Sequence, residues 1–235
     1  MHIAGLQKMT LLDYPGKVAC TLFLAGCNLR CPFCHNASLL TGAPEAMTEA
    51  EFLAFLKKRQ GLLDGVCVTG GEPTLYKELP RLLAAIKELG FAVKLDTNGT
   101  NPGMLKEVLQ AGLVDYVAMD IKNSPAGYGK TAGISQPPLA DLEESMALLL
   151  RGDTDYEFRT TVAMPLHSAE DFTAIGQWLQ KISPAHPAKK YFLQQFVQRD
   201  SVLCGGLFAP EATQLQAFSD ALSPYVHTVK IRGVD

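Results

Sequence analysis

The residues with the clearest capacity for chemistry are three closely spaced cysteines. Cys27, Cys31 and Cys34 lie on one short segment of a chain that has six cysteines in all. In a reducing compartment, clustered cysteines more often bind metal or react than form disulfides. We therefore expect this segment to hold a metal centre. The remaining cysteines are scattered along the sequence and are Cys20, Cys67 and Cys204.

The spacing of the three cysteines narrows the choice of metal. Structural zinc usually takes four ligands, and no second Cys/His pair nearby has conventional spacing. His35 adjoins Cys34 and would struggle to reach the same ion. A cubane cluster has four irons, so three thiolates leave one iron free for another ligand. The spacing favours an iron–sulfur cluster, with zinc or a structural coincidence as alternatives.

Length and composition describe an ordinary globular protein. At 235 residues the chain is long enough for one large core, and we expect residues 1–235 to form a single domain. Its 24 acidic and 21 basic residues give a net charge of −3, which lacks the basic footprint of nucleic-acid binding. No apolar run approaches the roughly 18 residues of a membrane span, and the N-terminus lacks a signal-peptide pattern. We expect a cytoplasmic protein with no nucleic-acid or membrane partner.

Apolar runs alternate with amphipathic segments along the chain, which predicts strands followed by helices. The runs are Val18–Ala25, Gly65–Thr69, Ala92–Leu95, Val114–Met119, Tyr156–Ala163, Lys190–Phe196 and Tyr225–Ile231. The first predicted helix follows Thr48. The others cover Leu79–Leu89, Gly103–Ala111, Leu139–Leu150, Ala169–Ile182 and Pro210–Leu222. This alternation predicts an α/β fold with a parallel sheet. A doubly wound sheet is possible, but the length fits an incomplete (β/α)6-type TIM barrel better, because eight units need about 250 residues.

Glycines and prolines are concentrated in the segment 124–138. This composition predicts one long surface loop, and loops of that size in α/β enzymes are often functional.

Further candidate residues stand at the ends of the second and third predicted strands. Gly70 and Gly71 precede Glu72, and two glycines let a ligand approach the backbone closely. Asp96 and Thr97 end the next strand. Tight turns and helix caps are the alternative explanations for both segments. Active sites of α/β barrels lie at these carboxyl ends, so we expect the side chains to meet.

The fourth to sixth strands add charged and polar candidates. Asp120 and Lys122 are two residues apart, so their side chains point to the same face. Arg159 is costly in an apolar strand without a partner, and a structural salt bridge is the alternative to a ligand contact. Of Gln194 and Gln195 in the sixth strand, Gln195 is our candidate for a ligand contact.

The cysteine loop, with Phe33 before its last cysteine, resembles the signature of radical S-adenosylmethionine (SAM) enzymes. The resemblance implies a [4Fe–4S] cluster on Cys27, Cys31 and Cys34, whose open iron binds the amino and carboxylate groups of SAM. Reductive cleavage of SAM would then give a 5′-deoxyadenosyl radical. It also implies SAM contacts from a set of strand-end and loop residues, namely Phe33, His35, Gly70, Gly71, Glu72, Asp96, Thr97, Asp120, Lys122, Arg159 and Gln195. Asp96 and Asp120 are also candidate ligands for a cation.

Within that superfamily the chain resembles the activases of glycyl radical enzymes. The segments 11–17, 34–36 and 157–162 are most similar to the activating proteins of anaerobic ribonucleoside-triphosphate reductase. This implies a glycyl radical enzyme as protein substrate and a donor such as flavodoxin or ferredoxin. The pyruvate formate-lyase type has a histidine near the sixth strand that this chain lacks. A 7-carboxy-7-deazaguanine synthase type and a non-catalytic iron–sulfur electron carrier are the competing hypotheses.

Overall fold

The computed structural model describes residues 1–40 and 43–233. It contains a single sheet of eight strands in chain order. The strands are β1 (Ile3–Thr10), β2 (Ala19–Leu24), β3 (Gly65–Gly70), β4 (Ala92–Thr97), β5 (Tyr116–Asp120), β6 (Asp155–Val162), β7 (Tyr191–Gln195) and β8 (Val229–Arg232). The helices are α1 (Glu49–Lys57), α2 (Leu79–Glu88), α3 (Pro102–Gln110), α4 (Tyr128–Ala132), α5 (Leu139–Arg151), α6 (Ala169–Ile182) and α7 (Ala212–Leu222).

Strands β2 to β8 pair in parallel, each with the next along the chain, whereas β1 is antiparallel to β2. Strands β1 and β8 form the two edges of the sheet. The prediction of an incomplete α/β barrel is confirmed: the seven predicted apolar runs correspond to β2 to β8, and β1 is the one strand that was not predicted. Among the described helices, none combines the length and apolar composition that a bilayer crossing needs.

Apolar periodicity explains why the predicted elements form. Helix α2 buries Leu79, Leu82, Leu83 and Ile86, which share one face at the spacing of 3.6 residues per turn. Strand β1 lacks such a signal. Only its terminal residues, Ile3 and Thr10, are buried, and its exposed stretch includes the polar residues Gln7 and Lys8. The apolar pattern therefore missed it.

The segment 124–138 is not the surface loop that its composition predicted. Helix α4 lies inside it, and the side chains of Tyr128, Thr131 and Ala132 are completely buried. Gly133 ends the helix in a left-handed conformation (φ +68°), which explains the glycine there. Asn123 fixes the segment by donating to Thr131 Oγ1 (2.9 Å) and to the Leu166 carbonyl (3.0 Å). Gly127 and Gly133 thus mark the two ends of a packed helix.

An ion pair between the partly exposed Arg232 and a buried carboxylate attaches the short strand β8 to the rest of the sheet. Arg232 donates to both carboxylate oxygens of Glu157 on β6, at 2.7 and 2.9 Å. The Tyr116 hydroxyl donates to the same carboxylate (2.9 Å), whose side chain is only 1% exposed. The guanidinium also lies over the Phe192 ring, 3.3 Å from its centroid.

We expect Arg232→Ala to destabilise the protein by about 3 kcal/mol, because it leaves the buried Glu157 carboxylate without its cation. Anaerobic urea unfolding followed by circular dichroism measures the effect. The matched control is Lys230→Ala, which removes an exposed cation two residues away on the same strand. Equal unfolding free energies for the two variants would contradict this role of the Arg232–Glu157 ion pair.

Candidate cofactor site

The sequence-predicted residues meet in one cavity of about 540 Å³ at the carboxyl ends of the parallel strands. Cys27, Cys31 and Cys34 all line it. So do ten of the eleven predicted SAM contacts, which are Phe33, His35, Gly70, Gly71, Glu72, Asp96, Thr97, Asp120, Lys122 and Arg159. The fold therefore brings together residues that lie, along the sequence, between the cysteine loop and strand β6.

Backbone hydrogen bonds hold the cysteine loop from several sides. The Gly26 carbonyl accepts from the Glu72 amide (2.8 Å), which ties the loop to the end of β3. The Arg30 amide donates to the Ala132 carbonyl at the end of α4 (2.9 Å). The Cys204 amide donates to the Pro32 carbonyl (3.0 Å), so the loop after β7 covers the cysteine loop as well.

The three cysteines are buried to different extents. Cys31 is 7% exposed, and burial raises the pKa of its thiol to about 11, although the Lys122 ammonium opposes the rise. Burial also raises the pKa of Cys27. Both thiols are therefore protonated at neutral pH without a metal, and iron binding must release their protons. In a cubane each thiolate binds a different iron, so the sulfurs need not converge on one ion as zinc ligands do.

Gly70 and Gly71 are required by the protein's own packing. Gly70 has φ +123°, and a Cβ on it would overlap the backbone of Leu24. A Cβ on Gly71 would overlap the carbonyl oxygen of Gly26. We interpreted these glycines as positions where a ligand can approach the backbone. In the structure, β2 and the cysteine loop already lie against them. A side chain at position 71 would therefore displace the cysteine loop as well as any ligand.

Glu72 connects the ends of β3 and β4. Its buried carboxylate accepts from the Thr74 amide (3.1 Å) and hydroxyl (2.6 Å). It also accepts from the Thr97 hydroxyl (2.8 Å) and the Asn98 amide (2.6 Å). Burial raises the pKa of this carboxyl, against the lowering effect of the four donors. The side chain therefore positions Thr97 and Asn98 at the cavity.

A chain of alternating charges crosses the cavity wall. Arg159 donates to Asp120 and, at 3.0 Å, to Asp96. Asp96 also pairs with Lys94, and Asp120 with Lys122 (2.7 Å). Burial alone would raise the pKa of both aspartates, but Arg159 and the two lysines hold them below the usual range. Arg159 thus has the structural ion pairs that we weighed against a ligand contact, while still lining the cavity.

Lys122 places a cation at the cavity, where it can bind an anionic group. Its ammonium lines the cavity, 2.7 Å from Asp120 and 6.0 Å from the centroid of the Phe33 ring. Burial would lower its pKa, but Asp120 raises the pKa above the usual range, so the group keeps its charge. An ammonium has three N–H donors, and Asp120 occupies one of them.

Two of the predicted contacts, Gln195 and His35, are engaged within the protein. Gln195 does not line the cavity: its amide donates to the Pro210 carbonyl (2.9 Å), and its neighbour Gln194 lines the cavity instead. Side chains alternate along a strand, so choosing the wrong member of the pair reverses the face. His35 does line the cavity, but its Nε2 lies 2.8 Å from the Val197 carbonyl and its ring stacks on Phe196.

Sequence reasoning missed Asn98 as a site residue. Its side-chain amide lies 3.9 Å from Cys27 Sγ and donates to Asn28 Oδ1 (2.9 Å). The available signal was its position, directly after Thr97 at the end of β4. The amide connects this strand end to the first cysteine.

These residues fit an iron–sulfur cluster with a zwitterionic ligand. Three thiols supply soft ligands, the Gly70–Gly71 turn keeps side chains away from the backbone, and Lys122 supplies a cation for a carboxylate.

Comparison with known proteins identifies the family. The sequence matches the radical SAM superfamily over residues 21–179. The chain belongs to this superfamily. Its cofactors are accordingly a [4Fe–4S] cluster and SAM.

Two relatives have names that bear on function. A protein of Methanocaldococcus jannaschii, provisionally named a glycyl-radical enzyme activating enzyme, is 29% identical over 99% of this chain and 96% of its own length. The pyruvate formate-lyase-activating enzyme of Clostridium pasteurianum is 35% identical over 52% of each chain.

A solved structure supports the fold alone. SuiB of Streptococcus suis has a TM-score of 0.71 in complex with its precursor peptide SuiA and 0.67 in complex with SAM. Its sequence identity is 14% and 13%, respectively. Each superposition covers 91% of this chain and about half of SuiB, at 48% and 52%.

We expect replacement of any one of the three loop cysteines by Ala to prevent loading of a complete cluster, because each thiolate holds one iron. The measurement is iron and sulfide content, with the visible spectrum, after anaerobic reconstitution. Cys20→Ala is the control, since Cys20 is completely buried in β2 and does not line the cavity. Four irons per chain in Cys31→Ala would refute the assignment.

Proposed function

We propose that this protein activates a glycyl radical enzyme, and that its target is an anaerobic ribonucleoside-triphosphate reductase. The observation that carries the first part is the match, over nearly the full length of both chains, to the M. jannaschii protein provisionally named as such an activase. The choice of target rests on the resemblance of segments 11–17, 34–36 and 157–162 to reductase activating proteins. Flavodoxin or ferredoxin is the proposed electron donor.

Each group of site residues has a proposed task. Cys27, Cys31 and Cys34 hold the cluster, and Lys122 binds the carboxylate of SAM. Arg159 keeps Asp96 and Asp120 ionised and in place at the cavity wall, and Gln194 faces the nucleoside. When bound, the cluster and SAM supply one-electron cleavage and hydrogen-atom abstraction. The chain then has to keep the reacting carbon close to one Cα–H bond and exclude water.

The pairing of charges in the cavity agrees with this proposal. Hydrogen-atom abstraction transfers no proton to the protein, and four charged groups of the cavity wall, Asp96, Asp120, Lys122 and Arg159, are held in ion pairs. An electron carrier would need neither the cavity beside the thiols nor the cation within it. A pyruvate formate-lyase target is the second candidate, favoured by the 35% identity to the C. pasteurianum enzyme.

We expect Lys122→Met to weaken SAM binding about 10- to 100-fold, because a charge-assisted hydrogen bond is worth about 1.5–3 kcal/mol. Calorimetry on anaerobically reconstituted protein measures the dissociation constant. Lys130→Met is the control, since Lys130 is a lysine on α4 outside the cavity. Wild-type affinity in Lys122→Met would place the carboxylate elsewhere.

We expect reduced protein, SAM and the anaerobic ribonucleotide reductase of the same organism to give a glycyl radical on the reductase. Electron paramagnetic resonance should show a doublet that collapses when the reductase contains α-deuterated glycine, with deuterium appearing in 5′-deoxyadenosine. Cys31→Ala protein is the negative control.

Two outcomes would alter the proposal. A radical on pyruvate formate-lyase but not on the reductase would correct the target. SAM cleavage without a glycyl signal on any glycyl radical enzyme of that organism would refute the activase function.

A further inference from the structure

His167 is a buried histidine in the loop between β6 and α6. The residue is 2% exposed and does not line the cavity. Its Nε2 lies 2.9 Å from the Lys122 carbonyl oxygen. Its Nδ1 lies 3.2 Å from the Ala163 amide nitrogen and 3.1 Å from the Ala163 carbonyl oxygen. Both ring nitrogens therefore have backbone partners.

The partner of Nε2 determines which ring nitrogen carries the hydrogen. A carbonyl oxygen only accepts hydrogen bonds, so Nε2 donates to Lys122. Burial lowers the pKa of His167, so the ring is neutral at neutral pH and Nδ1 accepts from the Ala163 amide. The ring thus joins Lys122 to the residue that follows β6.

Lys122 needs such support because it lies two residues beyond Asp120, the last residue of β5. The backbone of this segment is held by side chains instead of by a continued sheet. The Thr160 hydroxyl donates to the Ile121 carbonyl (2.7 Å), and the His167 ring donates to the next carbonyl, that of Lys122. His167 therefore holds the backbone of the residue whose ammonium lines the cavity.

The His167 ring also packs on the cysteine loop. Its centroid lies 6.3 Å from that of Phe33, and it stacks on Phe172 of α6 with centroids 6.0 Å apart. The Lys122 ammonium lies 6.0 Å from the centroid of the same Phe33 ring. His167 thus contacts both the backbone of Lys122 and the aromatic ring beside its ammonium.

We propose that His167 is a positioning residue for SAM binding, and that its hydrogen bond to the Lys122 carbonyl holds the Lys122 ammonium in place for the SAM carboxylate. A charge-assisted hydrogen bond depends on the distance and angle between its two groups, so a shift of the Lys122 backbone weakens it. The inference rests on the task proposed above for Lys122. It does not depend on the identity of the protein substrate.

The test compares His167→Asn with His167→Gln. The Asn amide lies near the position of Nδ1, so it can still bond to Ala163 but is too short to reach the Lys122 carbonyl. The longer Gln side chain places an N–H donor near the position of Nε2 and can restore that bond. We expect His167→Asn to weaken SAM binding about 3- to 10-fold, the effect of losing one neutral hydrogen bond, and His167→Gln to bind nearly as the wild type does.

Calorimetry on anaerobically reconstituted protein measures the affinity, and iron content should be the same in all variants. His167→Phe keeps the ring beside Phe33 and Phe172 but has no donor, so it decides the question if His167→Asn does not load a cluster. Incomplete clusters in both variants would make His167 a support of the cysteine loop and overturn the proposal. Equal losses of affinity in His167→Asn and His167→Gln would also overturn it.

A double-mutant cycle shows whether His167 acts through Lys122. We expect Lys122→Met combined with His167→Asn to bind SAM as Lys122→Met alone does, because the ammonium that His167 positions is already gone. Losses that multiply in the double variant would overturn the proposal. Wild-type affinity in Lys122→Met would refute the task of Lys122 and this inference with it. Weaker binding in Lys122→Met, beside wild-type affinity in His167→Asn, would overturn this inference alone.

Discussion

The site depends on the close contact between two backbone segments, the Gly70–Gly71 turn and the start of the cysteine loop. Neither glycine can carry a Cβ without overlapping Leu24 or Gly26, and the Glu72 amide donates to the Gly26 carbonyl. The cysteine loop is therefore positioned by β3 as much as by its own strand. Glu72 extends the same connection to β4 through its side chain. Three strand ends behave as one unit because a shift in any of them breaks buried hydrogen bonds.

The pairing of the charged residues follows from the burial of the cavity wall. A buried charge is tolerated only when it is paired, and Arg159 satisfies two aspartates from neighbouring strands at once. This arrangement keeps Asp120 ionised, and Asp120 in turn keeps Lys122 charged at the cavity. The ion pairs of Arg159, which we considered as a structural alternative, therefore form part of the wall of the proposed binding cavity. The ion pairs align the cation that a zwitterionic ligand needs.

Sequence patterns predicted the site because parallel strands collect their carboxyl ends at one edge. Cysteine spacing, the paired glycines and the charges at strand ends were all local signals. What failed needed longer-range information. Helix α4 looked like a loop because its burial is supplied by the cysteine loop and by Trp178. Gln195 was chosen, but Gln194 lines the cavity, because the sequence of β7, Tyr-Phe-Leu-Gln-Gln, shows no alternation of apolar and polar residues that identifies its inward face.

The central claim is that the open iron of a three-cysteine cluster binds SAM in this cavity. Electron–nuclear double resonance of the reduced protein tests it most directly, using SAM labelled with ¹⁵N in the amino group and ¹⁷O in the carboxylate. The account predicts hyperfine coupling of both labels to the cluster, since both atoms would be bonded to one iron. Spectra identical to those of unlabelled SAM, with SAM bound at full occupancy, would contradict it.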